Sequence, residues 1–134
     1  MRIAFFTALA IALGACGSSG SDQSKQAPIK VRGPEQEQLH TLDAFNLAIA
    51  LKHAIYDAGF ACKRVTDGGF VGTYENLDMW KANCTSDKGV KRDWAVFTGP
   101  DGSAQVRDCK DVEAGGLPAC VVKDKPKGSF TDFK

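Results

Sequence analysis

The sequence predicts an α+β fold: one N-terminal helix packed on a small four-stranded antiparallel sheet, stapled by two disulfides. Three observations lead there. Apolar residues recur at helical spacing through residues 42–58. After Gly59 the pattern shifts to short extended runs punctuated by Gly, Asp, Asn and Pro, as strands joined by turns require. Four cysteines, Cys62, Cys84, Cys109 and Cys120, fall in that second part, and an even number in so small a domain reads as a disulfide framework.

One helix is expected across residues 34–58. Pro34 suits the first helical position, and Glu35 and Glu37 favour the positive end of the helix dipole. Thr41 followed by Asp43 offers a second, later N-cap, and Gly59 a C-terminal stop. The helix is apolar on two sides. Leu42, Phe45, Ile49 and Tyr56 form one stripe, and Leu47, Leu51 and Ile55 another nearly opposite, with Asn46 and His53 in a gap between them. A helix wet on one face carries a single stripe. The sheet and a terminal segment are expected to cover the two sides; the sharper alternative makes Leu47, Leu51 and Ile55 a contact surface for a partner protein.

Strands are expected at residues 60–66, 77–85, 91–98 and 104–109, with Asp67-Gly68-Gly69 opening a loop after the first. Gly99-Pro100-Asp101-Gly102 is the strongest turn signal: proline suits the second turn position and glycine the left-handed residue. A three-residue loop ending on Gly102 pairs Gly99 with Ser103, which sets Val96 opposite Val106, Thr98 opposite Ala104 and Trp94 opposite Asp108. Trp94 and Val96 then lie under the helix. Phe97 and Arg107 point to the other face, where an exposed aromatic beside arginine makes a candidate contact patch. A hairpin centred near Thr73 brings Cys62 opposite Cys84, and a Cys109–Cys120 bridge closes the segment 110–119, which has almost no core-forming content. Residues 125–134 read as a disordered tail.

Ahead of this domain, Arg2 precedes an apolar run at residues 3–13 that ends in Leu13-Gly14-Ala15-Cys16. Crossing a bilayer takes about 20 apolar residues, so the run is too short to span one; a charged start, short apolar core and small residues form an export signal. The four-residue motif resembles the lipobox of bacterial lipoproteins. That resemblance implies cleavage before Cys16, a diacylglyceryl thioether on its sulfur, and acylation of the new amine by a fatty acid such as palmitate. Gly17, where a lipoprotein kept at the inner membrane often has Asp, implies the outer membrane, facing the periplasm. The organisation is then signal peptide at residues 1–15, a Gly- and Ser-rich flexible tether at 16–33, the domain at 34–124 and the tail.

Loss of the signal removes Arg2 and no acidic residue, so 17 Lys plus Arg become 16 and equal the 16 Asp plus Glu. A nucleic-acid binder would carry a basic excess. The long cysteine spacings, without a C-x-x-C pair, argue against a metal site. His40 and His53 lack the i, i+4 spacing of helical metal pairs, and no G-x-S-x-G occurs. Asp67-Gly68-Gly69-Phe70-Val71-Gly72 lacks the Lys-Ser/Thr of a phosphate loop, and Asp101, Asp108, Asp111 and Glu113 fit no calcium loop. No catalytic, cofactor-binding or metal residue stands out. The expected function is a non-catalytic, lipid-anchored module that binds an envelope protein or polymer. Trp80-Lys81-Ala82-Asn83-Cys84 resembles the aromatic-x-x-x-Cys strand of small periplasmic lysozyme inhibitors, which implies a hydrolase inhibitor as the alternative; the long helix departs from their all-β barrels.

Overall fold

Asp43 divides the expected single helix in two. Its carboxylate accepts the Asn46 backbone N–H at 2.8 Å and the Asn46 side-chain amide at 3.0 Å, satisfying a donor that a continuous helix would have bonded to a preceding carbonyl. Leu42 and Asp43 are accordingly extended, with ψ of 143° and 171°. The computed structural model describes residues 32–131, with α1 at Pro34–Thr41 and α2 at Ala44–Asp57. The expected signal peptide, Cys16 and the tether up to residue 31 lie outside the described residues, as do residues 132–134.

Helix α2 ends on Gly59 at φ +86°. The Gly59 N–H donates to the Tyr56 carbonyl and the Phe60 N–H to the Ile55 carbonyl, at 2.9 and 3.1 Å, the two bonds of a Schellman motif. Leu47, Leu51 and Ile55 are buried against the sheet together with Ala44 and Ala48, so the stripe offered above as a partner surface is core. The two alanines widen that stripe and let the helix approach the strands closely. Its opposite, interrupted by Lys52, faces outward: Phe45, Ile49 and Tyr56 are 46%, 42% and 71% exposed.

The sheet is antiparallel in the order β1-β2-β3-β4, with β1 at Arg64–Tyr74, β2 at Leu77–Thr85, β3 at Lys91–Thr98 and β4 at Ala104–Asp108. The middle strands have the expected bounds, and Val96 faces Val106, Thr98 faces Ala104 and Trp94 faces Asp108. The β3–β4 turn is also as read, with the Gly99 N–H bonded to the Ser103 carbonyl at 2.8 Å and Gly102 at φ +77°. The first strand differs. Asp67-Gly68-Gly69 lies inside β1, where two register shifts, between Val65 and Asp67 and between Phe70 and Gly72, absorb the extra residues. These glycines serve close backbone approach: a Cβ on Gly68 would sit 2.5 Å from the Lys81 carbonyl, and one on Gly69 2.5 Å from that of Asp124.

Strand alternation gives the sheet two faces. Trp80, Ala82, Cys84, Trp94 and Val96 meet α2 on one. Val71, Met79, Ala95 and Phe97 form a second core on the other, under α3 (Cys109–Ala114), Leu117 and the Cys109–Cys120 pair. Phe97 is therefore 4% exposed, correcting its assignment to an open patch; Arg107 remains exposed. The segment 110–119 does carry core, since Asp108 caps α3 through the Lys110 N–H at 3.0 Å and aims Val112 inward. Residues 124–130 are also held by contacts that composition did not suggest. Asp124 bridges to Phe70 on the outer edge of β1, the Lys127 carbonyl accepts the Ala44 N–H at 2.8 Å, and Phe130 is buried in the α2 core.

Two outcomes are expected. Gly59→Ala forces a Cβ into left-handed backbone and should cost about 1–2 kcal/mol in urea denaturation, with no change in the disulfides. In the β3–β4 turn, the Ser103 hydroxyl (2.6 Å) and N–H (3.1 Å) donate to Asp101 Oδ1 and hold its carboxyl below the usual value. The folded value being the lower one, this contribution to stability is present above the ordinary carboxylate range and fades as pH falls through the lowered value. NMR titration should find Asp101 depressed and Ser103→Ala should return it upward.

Candidate functional site

Strand β2 turns Asp78 to the same face as Trp80, Ala82 and Cys84, toward the helices, and Asp78 is 0% exposed. A buried carboxylate needs paired charge and hydrogen bonds. Arg32 Nε lies 2.9 Å and His40 Nε2 2.8 Å from Oδ2, and the Thr73 hydroxyl donates to Oδ1 at 3.4 Å. The imidazole packs against Phe70 and Trp80, with ring centroids 4.6 and 4.8 Å away, and those two rings touch each other at 5.3 Å. One turn earlier, buried Gln36 donates to the carbonyls of Thr98 (2.8 Å) and Asn76 (3.0 Å) and accepts the Gly33 N–H (3.0 Å). Carboxylate and imidazole are the orienting half of a catalytic triad, yet among the described residues no hydroxyl or thiol is bonded to His40. The recess beside it is only about 60 Å³, below the size of a small-molecule site. The cluster docks α1 to the sheet.

The larger opening lies on the other face. Helix α3 covers only part of that face, and beside it Lys81, Lys91 and Asp93 from β2 and β3 floor a groove of about 590 Å³, rimmed by Arg92, Lys110 and Glu113. It continues past Asn83 into a recess of about 210 Å³ beside Thr66 and Asp67. Asp93 pairs with Lys81 at 3.1 Å and accepts the Asn83 amide. Arg92 sits 3.7 Å from Asp108 and 5.4 Å from the centre of the Trp94 ring. Among the described residues Lys91, Lys110 and Glu113 have no ion-pair partner. The groove is thus a solvated surface with two uncommitted ammonium groups and one uncommitted carboxylate. Its walls are fixed by both bridges: Cys84 borders the recess, and Cys109 and Cys120 the groove.

The cysteines pair as expected, Cys62 with Cys84 and Cys109 with Cys120, at Cα separations of 5.6 and 5.8 Å. The other residues singled out from sequence are not brought together. Leu47, Leu51 and Ile55 are under the sheet's helical face, Phe97 is beneath α3, and Arg107 stands on β4 opposite Ala95. His53 is exposed on α2. Trp80, the aromatic of the Trp80-to-Cys84 motif, is core, its indole donating to the Thr98 hydroxyl at 3.3 Å. Sequence reasoning passed over Asp78, although a lone acid in register with Trp80, Ala82 and Cys84 marks a charge on an apolar face. It also passed over the groove, whose residues come from β2, β3, β4 and α3.

Among the described residues no group of three His, Cys, Asp or Glu could hold a metal ion, and no helix is long and apolar enough to cross a membrane. No protein-family model, curated protein or solved structure matches the chain.

The Asp78 cluster carries an asymmetric prediction. Arg32→Met combined with His40→Phe keeps the bulk but strands a buried carboxylate, and should cost about 3–5 kcal/mol. Asp78→Asn leaves Arg32 and His40, both partly exposed and able to turn to water, and should cost less. Urea denaturation of both variants at neutral pH decides the order.

Proposed function

We propose that the chain is a lipid-anchored lipoprotein of the bacterial cell envelope, held through Cys16 at the outer membrane and facing the periplasm. Its folded domain acts there as a non-catalytic binding module. The observation that carries this reading is the cysteine pairing. Five cysteines are present and two bridges use four, which leaves Cys16, the last residue of the lipobox-like motif, for acylation. Two disulfides in about a hundred residues also suit an oxidising compartment. The mixed-charge groove supports the binding role. Lys91, Lys110 and Glu113 favour a partner bearing both carboxylates and amines, as an envelope protein or a peptide-bearing envelope polymer does.

Mass spectrometry of the native chain should find residues 1–15 removed and a diacylglyceryl-modified, N-acylated Cys16; an intact Met1 or a free thiol at that position sinks the anchor. For the groove, the oxidised domain is expected to co-sediment with isolated peptidoglycan or to retain one stoichiometric envelope protein. Lys91→Glu with Lys110→Glu should weaken that retention about tenfold, as the loss of two charge contacts implies. Inhibition of a muralytic enzyme by the same preparation would favour the hydrolase-inhibitor reading.

A further inference from the structure

Ile49 and Tyr56 stand seven residues apart on the side of α2 turned away from the sheet, and Phe45 shares their angle one turn upstream. Lys52 emerges between them. Just past the helix end, Phe60 is 38% exposed and stacks on Trp94 at 4.4 Å. Isolated apolar side chains on a surface need no account, but a row of them running about 17 Å along one helix does. The described chain also enters on this side of the sheet. Arg32, its first residue, is bonded to Asp78 and lies 5.7 Å from the centre of the Phe70 ring, both on the helix-bearing face.

We infer that this stripe rests on the lipid surface to which the chain is anchored, its occupant being the headgroup–acyl boundary of a phospholipid bilayer. The inference rests on the anchor proposed above. Fifteen residues, 17–31, separate Cys16 from the first described residue, Arg32. Even fully extended, a chain of that length reaches at most about 50–55 Å, between two and three lengths of α2, itself about 21 Å. A face held so near meets the bilayer at an effective concentration on the order of millimolar, and a few side chains of weak interfacial affinity then suffice. Tyrosine and lysine are suited to that depth: the ring sits among the headgroups with its hydroxyl wet, and the Lys52 stem lies along the apolar surface with its ammonium in water. In this pose the groove, on the opposite face of the sheet, opens away from the membrane.

The test uses the oxidised chain from residue 16 onward carrying Cys16→Ser, so that no acyl chain contributes. Sedimentation with vesicles of phosphatidylethanolamine and phosphatidylglycerol should show weak partitioning at millimolar lipid. Ile49→Ser with Tyr56→Ser should lower the partition coefficient about tenfold, the worth of roughly half-burying two such side chains. Both positions are exposed, and unchanged near-ultraviolet circular dichroism confirms the fold. In a Tyr56→Trp chain the added fluorescence should shift to the blue on vesicles and be quenched by lipids brominated near the headgroup. No partitioning, or equal partitioning of the Ser variant, overturns the inference. So does a concentration-dependent dimer abolished by the Ser variant, which would assign the stripe to a second copy. Because this chain lacks the anchor, failure of acylation is read separately, in the mass of the native protein.

Discussion

A carboxylate fully withdrawn from water fixes how the first helix meets the sheet. Asp78 could have been apolar like its strand neighbours, and its charge is tolerable only while Arg32 and His40 stay in place. Both partners come from the segment around α1, which has little apolar surface of its own and buries only Gln36. Polar geometry therefore positions α1 where hydrophobic contact does not. Directional bonds also explain the tight fit at its start: a Cβ on Gly33 would overlap the Pro100 carbonyl, so the chain can reach Asp78 and the β3–β4 turn together only with glycine there.

The rest of the architecture follows from a sheet that must cover two apolar faces with few residues. Helix α2 covers one with a wide Leu, Ile and Ala surface. The other falls to a six-residue helix and a loop, too short to stand alone, and the Cys109–Cys120 bridge ties that cover to its start. The Cys62–Cys84 bridge similarly ties the exit of α2 to the central strand β2. Each bridge adds about 3 kcal/mol by restricting the unfolded chain in the loop-entropy account, a large share for a domain of this size. Because the second cover is short it leaves part of its face open, and the groove is that remainder.

Much of this was legible in the residues. The Gly99-to-Gly102 turn carried the β3–β4 register, since a left-handed glycine in a three-residue loop admits one pairing. Cysteine spacing gave both pairings, although the first hairpin turns at Glu75-Asn76 instead of Thr73 and sets Cys84 opposite Val65, with Cys62 just ahead of β1. The failures share a cause. Asp67-Gly68-Gly69 looks like a turn because glycine signals flexibility and close approach with the same letter. Phe97 and the expected cover over Phe45, Ile49 and Tyr56 were misjudged because periodicity tells which residues share a face, not what lies over it. The contacts of residues 123–130 and the partners of Asp78 are long-range, and no local pattern encodes them. The groove is likewise a product of packing, invisible until α3 is in place.

The strap formed by the last described residues has a consequence for assembly order. Phe130 fills the core beneath α2, and the Lys127 carbonyl caps the amide that opens that helix. A polypeptide that emerges from the ribosome in the usual direction must therefore wait for residues 127–130 before the hydrophobic interior is sealed. Its maturation is timed by the arrival of that strap.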